Sequence, residues 1–411
     1  TCYQWIWQEC QQWTITGGCM ANNGTIIGKG PLHHGVTNHQ YVTVDVWGSQ
    51  IGSYSTTGPV QLMSLIAEPT QQTYDKKIDK LFYYWLLICF LMVFLIVIVG
   101  GLTRLTNSGL SITEWELFKG VLPPLTVTTW ENYFHLYKNI PQYKILNNNM
   151  SLDEFKIIFY WEYFHRILGR LIGLFFILPF VYFYISNSMN KKYTFTCFTI
   201  LILILIQGLV GWFMVKSGLN DRVTVSHYRL SLHLTIAFII ITIIYWTLLN
   251  LKEQKFKSFF SKNKSNYLFY PFIFIIFCQI IMGAFVSGLD AGKIYQTWPL
   301  MNFSYFPNDV QINKLIDFFD FNDHSLVQFY HRNIAYFILA YSFFVGFVIY
   351  KKNLTKLLRP YYIVMAILFL QVLLGIITLL TGLNIYLASA HQIGSLLLIL
   401  SVINLYFNYI N

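Results

Sequence analysis

Residues 161–180 read WEYFHRILGRLIGLFFILPF, and residues 327–346 read VQFYHRNIAYFILAYSFFVG. In each, a His-Arg pair opens a long apolar run. An ionisable side chain at the edge of a membrane span is costly and usually functional. The same pair at the head of two runs therefore suggests a repeated membrane architecture. Further apolar runs lie on either side, giving spans near 82–100, 160–184, 193–214, 229–249, 267–288, 328–350, 361–380 and 389–409. Each is about 20 residues, the length needed to cross roughly 30 Å of hydrocarbon.

Composition supports the same class. Of 411 residues, 55% are hydrophobic and 11% charged, and the mean hydropathy is +0.49; a soluble domain carries about a quarter charged residues. The net charge of +10 is no footprint of nucleic-acid binding, because most lysines sit in short loops between apolar runs, where positive charge sets orientation. Lys76, Lys77, Lys80, Lys191, Lys192, Lys252, Lys255, Lys257, Lys262, Lys264, Lys351, Lys352, Lys356 and Arg359 crowd one side. That side is expected to face the cytoplasm or a mitochondrial matrix, with both termini, and the long loops 101–159 and 289–327 face out. No GxxxxGK[ST] loop or GxGxxG fingerprint is present, so nucleotide chemistry has no support. The cysteines (Cys2, Cys10, Cys19, Cys89, Cys197, Cys278) form no CxxC pair and no CxxCH attachment site. Any haem must be held by other ligands.

The chain repeats itself. Gly100, Gly109 and Trp115 match Gly283, Gly292 and Trp298 at one offset, and His165-Arg166 matches His331-Arg332. Gln207-x3-Gly211 with Gly218-Leu219-Asn220 matches Gln371-x3-Gly375 with Gly382-Leu383-Asn384, and His233 matches His391. The order is kept while the offsets shrink. This predicts an all-α protein of eight spans, built as two four-helix bundles related by a pseudo-two-fold axis along the membrane normal. The expected division is 73–250 for the first bundle and 251–411 for the second. Residues 1–72 are polar, nearly free of Lys and Arg, and carry His33, His34 and His39. They lack the look of an arginine-rich transit peptide and stay unassigned.

His165, His233, His331 and His391 all fall in the first turns of even-numbered spans. Two per half is what a bis-imidazole haem requires, one ligand from each of two facing helices. His227 competes with His233: it pairs with His391 if no insertion follows the Gly-Leu-Asn triplet. His233 is preferred because it lies deeper. The halves differ where Glu162 stands opposite Gln328. Three residues before His165, Glu162 lies on the same helix face; it either moves protons beside one haem or pairs with Arg166 or Arg170. Arg104, Arg166, Arg170 and Arg332 could bind haem propionates, since arginine grips carboxylates bidentately; contact with lipid phosphate competes.

GGLTRLTNSGLS (100–111), WEYFHRILGR (161–170), SHYRLSLHL (226–234), YHR (330–332) and SAHQIGS (389–395) together resemble the haem A synthase family, in its mitochondrial and α-proteobacterial branch, over about residues 80–411. The resemblance implies a membrane enzyme that oxidises the C8 methyl of haem O to a formyl group, serving cytochrome oxidase assembly. It implies a permanent haem b on His331 and His391, and the substrate haem at His165 and His233 with Glu162 as the catalytic carboxylate. It further implies haem O from a haem O synthase, an electron donor of unnamed class, a lipid bilayer around the chain, and room for a homo-oligomer. Some bacterial members carry a cysteine pair in the loop after the first span; residues 101–159 hold no cysteine, so electrons must arrive otherwise. A mitochondrial inner membrane and a bacterial plasma membrane fit the topology equally. A di-haem cytochrome b that only passes electrons shares the four histidines but leaves Glu162 unexplained. A transporter on parallel repeats would want broken spans and charges at mid-membrane.

Overall fold

The computed structural model describes residues 80–114, 119–254, 256–260 and 267–410, together with the backbone of residues 70–79 and of short strands before them. Residues Thr1–Asp79 and Lys80–Asn411 form separate compact units. In the first, β1 (Gln12–Trp13), β2 (Gly18–Met20) and β3 (Ile26–Lys29) make one antiparallel sheet, and β4 (His39–Val44) pairs with β5 (Gln50–Thr56). His33 and His34 lie outside the described residues, as does Trp115 of the repeat.

The second unit is helical. Its elements are α1 (Thr70–Leu105, which begins in the first unit), α2 (Val127–Lys138), α3 (Pro141–Leu146), α4 (Leu152–Ile185), α5 (Lys191–Asp221), α6 (His227–Glu253), α7 (Phe269–Gly288), α8 (His324–Lys351), α9 (Leu358–Leu380) and α10 (Ile385–Tyr409). All but α2 and α3 contain a stretch of 20 to 34 residues long and apolar enough to cross a bilayer. The chain is an integral, multi-pass membrane protein. Several helices outrun the apolar run that announced them. In α4 the extra outer turns LDEFK are held by a reciprocal cap: Glu154 Oε2 accepts from the Ser151 N–H at 2.8 Å and Ser151 Oγ accepts from the Glu154 N–H at 3.3 Å, so two orphan donors are satisfied where apolar patterning has already ended.

Burial orders the spans. More than half of the apolar window of α6 is buried, against 6% in α5. The inner helices are α6, α7 and α10, which pack on one another, while α5 turns most of its surface outward. Contacts cross between the halves at matching places. Gly288 of α7 lies so close to α6 that a Cβ there would stand 2.6 Å from His227 Cβ. Gly101 of α1 meets Gln392 of α10, whose Nε2 donates to Val97 O at 2.9 Å. Arg104 Nη2 donates to the Ser287 carbonyl at 2.6 Å and pairs with Asp290 at 3.3 Å. Ser287 is the repeat equivalent of Arg104, at the offset that relates Gly100 to Gly283.

The two Gly-Leu-Asn triplets fold differently. Gly218-Leu219-Asn220 stays helical as α5 runs on to Asp221, and a short loop leads to Ser226 at the head of α6. In the second half, Gly382 (φ +70°) and Leu383 (φ +65°) turn left-handed. Asn384 then caps α10 at once, accepting from the Tyr386 N–H at 3.0 Å. The first half therefore carries an insertion between triplet and helix, and this insertion makes the repeat offset shrink.

Candidate functional site

Four histidines stand in the N-terminal halves of α4, α6, α8 and α10, and they gather in two pairs. His165 and His233 have ring centroids 6.3 Å apart; His331 and His391 stand 6.5 Å apart. Two imidazoles sharing one metal along an axis have centroids about 6 Å apart, since each nitrogen sits about 2 Å from the metal and the centroid about 1 Å behind it. The spacing of each pair suits one metal ion between the rings. Among the described residues, no cluster of three or more His, Cys, Asp or Glu is present. A lone imidazole pair suits an ion whose remaining ligands come from a macrocycle.

Each ring lies in a notch left by a glycine on the preceding odd-numbered span. A Cβ added at Gly100 would meet His165 Nε2 at 3.0 Å; at Gly211, His233 Cε1 at 3.0 Å; at Gly283, His331 Cε1 at 3.1 Å; at Gly375, His391 Cε1 at 2.9 Å. One helical turn before three of these glycines stands a glutamine: Gln207, Gln279 and Gln371. His391 Nδ1 is 3.1 Å from the Gln371 carbonyl; donation there fixes the tautomer that leaves Nε2 free to ligate. Nδ1 of His233 and Nδ1 of His331 have no hydrogen-bond partner among the described residues. The Gln371 amide donates to the His391 carbonyl at 2.7 Å, and the Gln279 amide reaches His331 Nε2 at 3.3 Å.

His227 is buried elsewhere, its ring against Tyr228 and Phe285. The insertion described above moves it to the α6–α7 contact and leaves His233 facing His165. His135, in α2, and His324, at the start of α8, lie in or beside the outer loops.

Glu162 is buried, and both its oxygens are engaged. Oε1 accepts from Arg166 Nη2 at 2.6 Å and Nε at 3.0 Å; Oε2 accepts from Ser111 Oγ at 2.7 Å and the Ile112 N–H at 2.9 Å. Arg166 also donates to the Ile112 carbonyl at 2.9 Å. In the second half, Gln328 Nε2 and Arg332 Nη2 both donate to the Tyr295 carbonyl, at 2.9 and 3.0 Å. Tyr295 is the repeat equivalent of Ile112. Both residues thus pin the outer loop to the helix that carries the first histidine of the half. The carboxylate does so by accepting, the amide by donating. Arg170 Nη1 lies 3.4 Å from the Gly120 carbonyl and lines a cleft with Ile112, Tyr163 and Arg166. Of the four arginines, Arg104 is turned to the junction between halves, and Arg166, Arg170 and Arg332 stand beneath the outer loops.

Helix α2 packs Trp130, Phe134 and Tyr137 on Phe155 and Phe159 of α4, with Tyr143 of α3 against them. Gln142 Nε2 donates to the Asn107 carbonyl at 3.1 Å, tying this cap to the loop that holds Glu162. Burial pushes the Tyr137 phenol up to about 12.

A family model described as COX15-CtaA, cytochrome oxidase assembly protein, matches residues 83–403. Heme A synthase of Pelagibacter ubique is 48% identical over 318 residues, covering 77% of this chain and 93% of that protein. The Flavobacterium psychrophilum heme A synthase is 42% identical over 330 residues, covering 79% and 96%. That of Maricaulis maris is 38% identical over 322, covering 78% and 93%. The chain belongs to the haem A synthase family. The notched imidazole pairs fit a haem, since a glycine stands wherever a Cβ would crowd a ring. Gln279 is absent from the sequence reading, and Gly100, Gly211, Gly283 and Gly375 appear there as repeat markers rather than as ring contacts. A signal existed, since Gln279-x3-Gly283 repeats the Gln-x3-Gly spacing of the two stretches that were found.

Proposed function

We propose that this chain oxidises the C8 methyl group of haem O to the formyl group of haem A, as an enzyme of haem A biosynthesis in a bacterial plasma membrane. The carrying observation is the pair of repeat-related imidazole couples, each at the spacing of one metal ion, in a member of this family. Methyl-to-formyl conversion replaces two C–H bonds by one C=O; written as two hydroxylations and the loss of one water, it takes two O2, four electrons and four protons and releases three waters. Haem O is the substrate, delivered from a haem O synthase through the lipid bilayer, and the electrons come from a donor of unnamed class, since loop 101–159 holds no cysteine.

His331 and His391 are assigned to a resident haem b, which when bound supplies one-electron redox chemistry. His233 and His165 hold the substrate haem. Arg166, Arg170 and Arg332 would bind the propionate carboxylates of the haems. Arg104, bonded across the junction, serves the fold. Glu162 is the carboxylate assigned to catalysis. Ser111 donates to its Oε2, which gives a proton entering the site a relay from the outer loop through the hydroxyl to the carboxylate.

The test separates charge from shape. Removing one partner of a buried ion pair costs about 3–5 kcal/mol, so Glu162→Ala can fail for structural reasons. Glu162→Gln places in the first half the side chain the second half already uses at Gln328. Purified Glu162→Gln protein is expected to keep the absorption of a second-half haem b and to accumulate haem O, with little haem A on pigment extraction. Wild-type amounts of haem A would remove Glu162 from the mechanism.

A further inference from the structure

We propose that the loop between α7 and α8, residues 289–323, is a membrane-seated collar, with Phe303 and the turn Leu315–Phe319 placed among the acyl chains of the leaflet beside it.

The loop is fastened to its helices below their ends. Helix α8 gives the depth. Counted back from Tyr350, next to the basic Lys351 and Lys352, about 20 residues cross the hydrocarbon, which carries that layer out to His331. Asn333 and Tyr336 therefore lie within it. Trp298 Nε1 donates to the Tyr336 hydroxyl at 2.9 Å, and the Tyr305 hydroxyl donates to Asn333. On the other flank, Phe321, Tyr330 and Ile334 pack on Met282, Phe285 and Val327, and the Tyr330 hydroxyl donates to the Phe318 carbonyl at 2.6 Å. Phe285 stands in the last turn of α7, a helix that is a membrane span along its whole length. Both flanks are thus tied at a level where the spans meet lipid.

What the loop presents at that level is apolar. Phe303, in the tight turn closed by Met301 and Ser304, is 95% exposed; Leu315 is 83%, Ile316 69% and Phe319 67% exposed. Residues 315–319 form a single 3-10 turn, in which side chains three apart eclipse, so Ile316 and Phe319 make one ridge. The carboxylate of that turn is drawn back onto its own chain: Asp317 Oδ2 accepts from the Asn313 and Lys314 N–H groups, both at 2.8 Å. Trp298 and Tyr305 bond their polar tips to α8 while their rings stay partly exposed; aromatic side chains with a polar tip gather at the membrane–water boundary. Lipid is the occupant because the surface runs on into a lipid-facing one. Asn333, which holds Tyr305, shares a helix face with Phe337 and Phe344, both exposed farther along the same span.

The experiment replaces Phe303, Ile316 or, as a reference, Leu178 by benzoylphenylalanine in the full-length protein. Leu178 is an exposed residue well inside α4. Each variant is irradiated in native membranes and, after purification, in phosphatidylcholine–phosphatidylglycerol vesicles, and its adducts are identified by mass spectrometry. Monodisperse elution checks the fold. Phospholipid adducts are expected at Phe303 and at Ile316 in yields within about threefold of that at Leu178, since all three would abut acyl chains. Lipid adducts at Leu178 with none at either loop position overturn the proposal. So do cross-links from the loop to a second copy of the chain, or to another protein of the native membrane, in place of lipid.

Discussion

Gly375 of α9 and Gly208 of α5 show how differently one residue type serves in two repeat-related helices. At Gly375 a Cβ would press on His391 Cε1 at 2.9 Å and on Nδ1 at 3.4 Å, and that Nδ1 is held at 3.1 Å by the Gln371 carbonyl. The ring cannot give way without losing its bond. At Gly208 nothing lies within 4 Å. Gly375→Ala is expected to cut second-half haem content about tenfold, on the scale of a lost supporting interaction. Gly208→Ala should keep full content and gain up to about 1 kcal/mol of helix stability. Haem-to-protein ratios and thermal melts of the two variants decide it; equal haem in both would mean that the notch does not position the ring. The sequence made the histidines legible because a titratable ring in an apolar run stands out. The glycines behind them were legible as repeat markers but not as ring contacts, because membrane helices use glycine freely and only the coordinates say which one faces a ring. Glu162 was legible as an asymmetry, but its partners were not: Ser111 and the Ile112 backbone come from a loop whose path no periodicity predicts.

Among the elements, the spans were readable from apolar runs and their ends were not, since caps such as Ser151 and Asn384 extend or start helices by hydrogen bonding rather than by hydropathy. The choice between His227 and His233 turned on one such end, where a left-handed turn at Gly382-Leu383 in one half faces continued helix in the other. Helices α2 and α3 escaped the hydropathy pass for the same reason: they are short and amphipathic. Their cap makes a pH-dependent prediction. Tyr137 is fully buried and its phenol is pushed from 10.0 up to about 12, so the neutral form is favoured in the folded cap. A raised folded value means that the stabilisation is complete below about pH 10 and is lost as pH rises toward about 12. Hydrogen exchange over residues 127–146 should therefore accelerate across that window while the spans stay protected. Tyr137→Phe should abolish the step, at the cost of the bonds to Gln142 and Asn147. Acceleration that begins well below pH 10 would point to another group.

For the whole molecule, the repeat read from sequence describes ancestry better than it describes mechanical independence. Residues Lys80–Asn411 cluster as one compact unit, because α6 and α10 pack on each other and each also packs on the leading helix of the other half. Two glycines make that close approach possible, and they are unequal. A Cβ at Gly101 would strike the end of the Gln392 side chain, which can rotate away for the loss of one bond to Val97. A Cβ at Gly288 would stand 2.8 Å from His227 Cα, and backbone cannot rotate away, so α6 and α7 must separate. Overpacking of this kind costs about 1–3 kcal/mol. Because α6 also carries His233, separation should reach the first-half pair although the substituted residue lies in the second half. Gly288→Ala is expected to lower the melting temperature more than Gly101→Ala and to weaken haem retention in both halves together. Thermal unfolding followed separately at haem b and haem O absorption provides the measurement. Loss confined to the second half would show that the halves behave as two bundles in contact rather than as one cooperative body.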